Sequence, residues 1–482
     1  MNDNNTILAL LRKLVMPDYL SSKLRIFLIK KLIYLDLIKL KNYEQQDFNA
    51  VIETIKIKYR FNLQILSKIL TFYLVFVFLF FRTSKQNSRE PLSLVYGLDT
   101  KQIFQNSSTD GLHNFFGKLF SDKPKNSFYL IETNAIKSFS KKRGSFLLSR
   151  NIDIFLYTSF LTSKQKMNLI ISMGLRILYF LYYHRKFGSF ILIWQQFIFQ
   201  EPLYKMIEKQ ASKRIVSLIT TQSGYRNLPF IFEYFQNSID SFMIWYSANS
   251  VPIQYKNQRH NRVQFTTEIY KVLPIQNHLV WTTDHATYLE SITPKEINVS
   301  VKGSLMFYVQ KNQFTNKIFD VAVFDVSPYA STRLDEYQKI PIDLNSIYSE
   351  HYVIQFINDI VNTVNILSVG SKRRLTVAIK YKRELNSLHS QRYKNRLREI
   401  EMMDNVTIID SEANLYDLIY QSRSVIGFPF VSPSVIAREL NVPVIYYSRN
   451  EIMASYKKFH GVQVVQNLKG LQLFLEKSLD LK

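Results

Sequence analysis

The sequence predicts an α/β protein of two Rossmann-like, doubly wound domains behind a helical N-terminal extension. Three observations carry this. Short β-branched runs such as 318–326 (IFDVAVFDV) alternate with helix-length amphipathic segments, the order that builds a parallel sheet. The alternation comes in two blocks, 90–308 and 318–482, separated by a polar, aperiodic stretch at 309–317 (VQKNQFTNK) that reads as a linker. With 482 residues, 46% of them apolar, the chain can bury two cores.

Taken in order, residues 1–60 read as an amphipathic helical region. In 24–40 (LRIFLIKKLIYLDLIKL) the apolar spacing gathers most lysines on one face, which suits a packed helix or one lying in a membrane interface. Residues 61–89 hold the most apolar run, 69–81 (ILTFYLVFVFLFF), followed at once by Arg82 and Lys85. A spanning helix takes about 20 apolar residues. The run is borderline, and a monotopic or buried helix is expected.

In the first block, strands are expected at 91–96, 126–132, 152–156 and 215–220, with long aromatic helices at 164–183 and 189–209 that could face the core or a bilayer. Strands at 241–246, 278–282 and 297–303 follow, the last two bracketing a short helix at 284–291. The second block reads as strand 318–326, helix 349–364, strand 374–380, basic helix 387–402, strand 406–410 and helix 414–422. Strands at 424–427, 442–447 and 462–465 and a closing helix at 468–479 complete it. Regular alternation of this kind is a doubly wound sheet.

The chain has no cysteine, which excludes disulfides, thiolate metal sites and a cysteine nucleophile. Residues 7–15 are interrupted by Arg12 and Lys13 and do not read as a secretory signal. The formal charge of +24 admits nucleic acid or an anionic membrane. It is spread along the chain with no nucleic-acid motif, so the expected partner is the cytoplasmic membrane surface, with no nucleic acid. The localisation that follows is cytoplasmic, peripheral to the inner membrane face.

Ligands of open parallel sheets bind beyond the carboxyl ends of the strands. Three such ends in the second block carry notable residues. The strand TVAIK exits into Lys380, Lys382 and Arg383, a set that suits phosphate or a solvated basic loop. The strand SVIG exits through Phe428-Pro429-Phe430 to a helix opened by Ser432, Pro433 and Ser434. Pro433 has no N–H to lose there, Ser432 can cap the helix, and the free amides make an anion site. The first strand ends at Asp325-Val326-Ser327-Pro328, where Asp325 could touch a ligand or form a turn.

The stretch SVIGFPFVSPSVIARELNVPVIYYS resembles the signature of the polysaccharide-biosynthesis PFTS-motif family, which implies a surface-carbohydrate transferase. More distantly it is similar to GT-B enzymes using CMP-sugars or CDP-alcohols. MIWYSANS (243–250), HLVWTTDHATYL (278–289) and FDVSPY extend the resemblance over roughly residues 90–480. There are two departures: Val431-Ser432 stands where the motif has Thr-Ser, and Tyr381 precedes Lys382 where relatives carry His-Pro.

The resemblance implies a GT-B-like arrangement with two domains facing a cleft. It implies a glycosyltransferase moving a sugar from a nucleotide sugar to a glycan or lipid-linked glycan acceptor, with no cofactor and no metal. The alternatives are a CDP-glycerol-like polyol-phosphate transferase and a non-enzymatic scaffold. Lys380, Lys382, Arg383, Ser432 and Ser434 would hold the donor phosphates. Ser223, Ser247, Asn249 and Asp325 would line the acceptor side or the cleft. A catalytic base is sought near first-domain strand ends, at Asp99 or Glu132, with Asp110, Asp284 and His285 as alternatives. Each of these also reads as a cap or surface residue.

Overall fold

The computed structural model describes residues 63–82, 92–97, 119–120, 128–131, 161–183, 193–211, 215–221, 228–248, 273–293, 296–304, 316–328, 348–449 and 453–481, with a few isolated positions elsewhere. They form two separate sheets, as the two-block pattern predicts. The expected strand at 152–156, most of the N-terminal region and most of the linker lie outside the described residues.

The first sheet has six strands in the order β2-β1-β3-β4-β5-β6, all neighbours parallel. They are β1 (Leu92–Tyr96), β2 (Phe128–Ile131), β3 (Ile215–Thr220), β4 (Asp240–Ile244), β5 (Asn277–Val280) and β6 (Asn298–Val301). The helices α1 (Leu63–Arg82), α2 (Ser163–Tyr183), α3 (Glu201–Ala211), α4 (Phe230–Tyr234) and α5 (Thr283–Ile292) belong to this unit. Leu24 and Phe27, from the amphipathic stretch, are buried in the same core, with Phe27 against the Phe230 ring. At those residues the stretch is packed.

The helix expected at 189–209 is interrupted by a π-helical turn at Gln196–Gln200, which buries Phe197, Ile198 and Phe199 in succession. Pro202 follows at the second position of α3. It cannot donate to the carbonyl four residues back, and its ring crowds that carbonyl, so the wider turn relieves the clash.

The second sheet has seven strands in the order β12-β13-β11-β10-β7-β8-β9. They are β7 (Phe319–Phe324), β8 (Val377–Lys380), β9 (Val406–Ile409), β10 (Ser422–Gly427), β11 (Val444–Tyr447), β12 (Lys458–Phe459) and β13 (Val462–Val465). Every neighbour is parallel except β12 against β13. Its helices are α6 (Glu350–Ser371), α7 (Gln391–Glu401), α8 (Leu415–Tyr420), α9 (Ser432–Glu439) and α10 (Leu468–Ser478). Strand β7 is central, which its near-continuous apolar run requires. The exception is Asp320, a buried carboxylate that ties the amino ends of the strands: it meets Arg373 at 2.5 Å and accepts from Thr376 N at 2.9 Å.

Among the described residues, α6 is the one helix long and apolar enough to cross a membrane, and half of its most apolar window is buried. Val353, Phe356, Ile360 and Val364 sit in the second core, so α6 is a core helix.

Candidate functional site

The chain leaves β7 for β8 and β9 on one side, then returns to β10 on the other. The carboxyl ends of β7 and β10 are therefore a topological switch point, where connections diverge and leave a crevice. Phe324, Lys380 and Gly427, the last residues of β7, β8 and β10, lie in register across this edge. The two segments expected to hold phosphate thus flank β7 on one edge, two strand spacings or about 10 Å apart.

Three exits shape this edge. At β7, Ser327 takes a left-handed conformation (φ 49°), and its amide donates to Asp325 Oδ1 at 3.1 Å. The Tyr393 hydroxyl from α7 donates to the other carboxylate oxygen. Ser327 Oγ accepts from the Lys382 amide at 2.8 Å. Asp325 is almost wholly buried, and desolvation pushes its pKa up to about 6 against the opposing hydrogen bonds from Tyr393, Ser327 and Lys382. Of the two roles the sequence allowed, the turn-forming one is visible: Asp325 braces the backbone of the basic turn.

Tyr393→Phe removes one donor from this buried carboxylate. The expected result is a loss of about 1–3 kcal/mol in chemical denaturation at pH 7.

At β8, Lys380 donates to the carbonyls of Asp410 (3.0 Å) and Ser411. Burial lowers its pKa, opposed by the charges of Asp410, Glu412 and Asp325. Its ammonium pins the exit of β9. Lys382 and Arg383 are exposed along the turn. The Lys382 ammonium is nonetheless crowded by protein, and that desolvation, with the Arg383 charge beside it, lowers its pKa to about 8 while Asp325 pulls the other way.

At β10, Phe430 adopts φ 67°, a strained choice for a bulky residue. Its ring is locked by stacking on Phe459 (3.9 Å between centroids) with Tyr446 and Tyr456 against it. This turn delivers the chain into α9. The N-cap is Val431, with no side-chain cap, and Pro433 stands in the first turn. Ser432 does not cap the helix as expected. Its hydroxyl lies 3.0 Å from Ser247 Oγ and accepts from the Ala248 amide at 3.1 Å, both just beyond β4 of the first sheet. Ser434 is buried beneath Gly427, with no hydrogen-bond partner for its hydroxyl among the described residues.

Helix α9 runs along three strand exits of the first sheet. Ser432 meets the β4 exit, and Glu439 accepts from Ser304 N (3.0 Å) and Ser304 Oγ (2.5 Å) beyond β6. Between them Arg438 donates to the His460 carbonyl. The His460 ring shares a 2.6 Å hydrogen bond with Thr282 beyond β5, and its amide donates to Asp284 at 2.5 Å. Ala248, Ile253 and Trp281 complete the joint by packing into the core of the second unit.

The family described as "Polysaccharide biosynthesis PFTS motif protein" matches residues 183–475. The chain belongs to this family. No curated protein matches it. Among solved structures it is similar to S. aureus TarM (G117R mutant, complexed with fondaparinux, alpha-GlcNAc-glycerol and UDP), at 10% identity and TM-score 0.35, covering 57% of this chain and 50% of that one. It is also similar to a putative UDP-N-acetylglucosamine 2-epimerase from Listeria monocytogenes, at 10% identity and TM-score 0.38, covering 82% and 88%. The Methanocaldococcus jannaschii UDP-GlcNAc 2-epimerase gives 12% identity and TM-score 0.35, covering 81% and 93%. The chain thus spans about half the length of TarM and most of the two epimerases.

In this PFTS-motif protein, Lys382, Arg383, Ser432, Ser434 and Ser247 gather around one edge, while Lys380 and Asp325 support it from within. Asp99, Glu132, Asp110, Ser223 and Asn249 lie outside the described residues. Of the alternative bases, Asp284 is held by the His460 amide, and His285 is fully buried against Trp245. Burial, then the charges of His460 and His278, lowers the His285 pKa to about 3. The bridging role of His460 and Arg438 is missed by strand-end reasoning. Its one local signal is the pair His460-Gly461, both at positive φ, as a two-residue hairpin turn between β12 and β13 demands.

Proposed function

We propose that this member of a polysaccharide-biosynthesis family is a GT-B-type glycosyltransferase, with a nucleotide-activated sugar held at the β7–β10 crevice and a glycan acceptor entering from the first sheet. The observation that carries the reading is the shared edge: the cationic turn Lys382–Arg383 and the first turn of α9 flank the switch point, and α9 touches the β4 exit opposite. Cations on one side and the positive, N-terminal end of α9 on the other suit a leaving phosphate, whose charge grows as the glycosidic bond breaks. Protein groups supply that stabilisation, so the reaction calls for no metal. The strain at Phe430 is consistent with a site that must hold one backbone shape before the ligand arrives.

The test is calorimetry of nucleotide binding, after a thermal-shift panel of CMP, CDP, UDP, GDP and dTDP has found the base. Lys382→Ala with Arg383→Ala is expected to weaken binding by about tenfold or more, through lost charge-assisted hydrogen bonds. An unchanged affinity, or no shift with any nucleotide, would overturn the assignment. Lys380 is left out of the variant because its loss would unpin β9.

A further inference from the structure

Helix α2 is two-faced. Leu169, Met173, Ile177 and Phe180 are buried in the first core, yet Met167, Ile171, Leu175 and Leu178 are 48–64% exposed. The exposed set falls at i, i+4, i+8 and i+11, a single stripe along the helix. Helix α1 lies against α2: the Tyr73 hydroxyl donates to the Ile170 carbonyl at 3.3 Å, and Gly174 leaves room for the Tyr73 ring. It adds a stripe of its own, Leu70 (43% exposed) and Leu74 (65%), over buried Ile69 and Phe72. Six large apolar side chains on two adjoining helices make a patch on the order of several hundred Å², the size at which a surface ordinarily has a partner.

The charges around it select the partner. Neither helix carries an Asp or Glu. Lys68 and Lys164 are exposed, and the charge of Arg176 is answered internally by Glu201 at 2.5 Å. A second copy docking here would bring lysines to lysines with no carboxylate on either helix to meet them. The chain's own segment 24–40 is basic too, with Arg25, Lys30, Lys31 and Lys39 against one acid, Asp36. An anionic lipid surface answers both features, taking apolar side chains at the acyl boundary and lysines at the headgroups. Neither helix can leave the protein to span the bilayer, because the opposite face of each is built into the core.

We infer that the α1–α2 face is a membrane-docking surface that lies flat on an anionic bilayer. The surface precedes the matched range 183–475 and needs no assumption about the reaction. Flotation of the full chain with phosphatidylcholine vesicles, with and without phosphatidylglycerol, tests it. The expected result is binding that rises at least tenfold with phosphatidylglycerol and falls at least tenfold in Ile171→Glu/Leu175→Glu. Both substituted residues are exposed, so the thermal midpoint should hold; Leu178→Gln, a milder change, should weaken binding in the same direction. Lys68→Glu/Lys164→Glu should lose the phosphatidylglycerol dependence. A wild-type chain that does not float, or variants that float equally well, would overturn the inference. So would a dimer in light scattering that Ile171→Glu/Leu175→Glu dissociates without any vesicle binding by the wild type.

Discussion

Gly427→Ala is expected to destabilise the second unit by about 3 kcal/mol and, with it, to remove the nucleotide binding proposed above. A Cβ at this position would stand 1.9 Å from Ser434 Oγ and 2.9 Å from Val431 Cγ2. The glycine is needed because α9 must start close beneath the end of β10, and only a bare backbone allows the approach. The clash falls on Ser434, which makes a double-mutant cycle informative. Ser434→Ala alone removes a buried hydroxyl with no partner among the described residues and should leave stability unchanged or raise it by about 1 kcal/mol. The pair Gly427→Ala/Ser434→Ala should recover only part of the loss, since the 1.9 Å contact goes while those with Val431 Cγ2 (2.9 Å) and the Cβ at 434 (3.3 Å) stay. If Ser434→Ala gains stability and loses nucleotide affinity, the hydroxyl is kept for the ligand. If affinity is unchanged, Ser434 only fills space. Simple additivity in the cycle would contradict the packing described.

The parts of the fold that were legible in the sequence are those set by local periodicity. Strands β3 and β13 begin and end where the apolar runs 215–220 and 462–465 do, and the parallel order follows from the intervening helices. Helix α6 runs seven residues beyond the expected end at 364, because its last turns expose Ile366 and Val369 and no longer show a one-sided pattern. The site was legible at the level of strand ends and not of side chains. That Lys382 and Ser432 share an edge follows from strand order. That Lys380 turns to the carbonyls just beyond β9, and that Asp325 is held by Tyr393, depends on residues 30 and 68 positions away. No local pattern encodes such pairings. The joint through His460 is harder still, since its partners Thr282 and Asp284 are in the other unit.

That joint predicts steep acid sensitivity. His278, His285 and His460 are buried at or beside the contact between the sheets. Burial is the first cause of the low pKa in each, about 4 for His278 and about 3 for the other two. The Arg438 charge lowers His460 further, while backbone hydrogen bonds oppose the shift at His278 and His460. In the unfolded chain these rings titrate near 6.5, so the unfolded state binds protons that the folded state refuses. Their contribution is therefore complete above about pH 6.5 and is lost as pH falls toward their folded values. Each ring withdraws up to about 1.4 kcal/mol per pH unit over that range. Asp325, with a folded pKa near 6, and Asp359 and Asp417, also raised by burial, act in the opposite sense as they protonate, while His389, lowered by burial, acts with the three rings. Two of the chain's three tryptophans, Trp245 and Trp281, are buried at the same joint, so their fluorescence reports it directly. Denaturation midpoints followed by that signal should fall steeply between pH 6.5 and 5. His460→Asn, which tolerates the left-handed turn, should flatten the slope by about one proton's worth. A slope that His460→Asn leaves unchanged would mean that the acid response arises elsewhere and that His460 is not the titrating link between the two sheets.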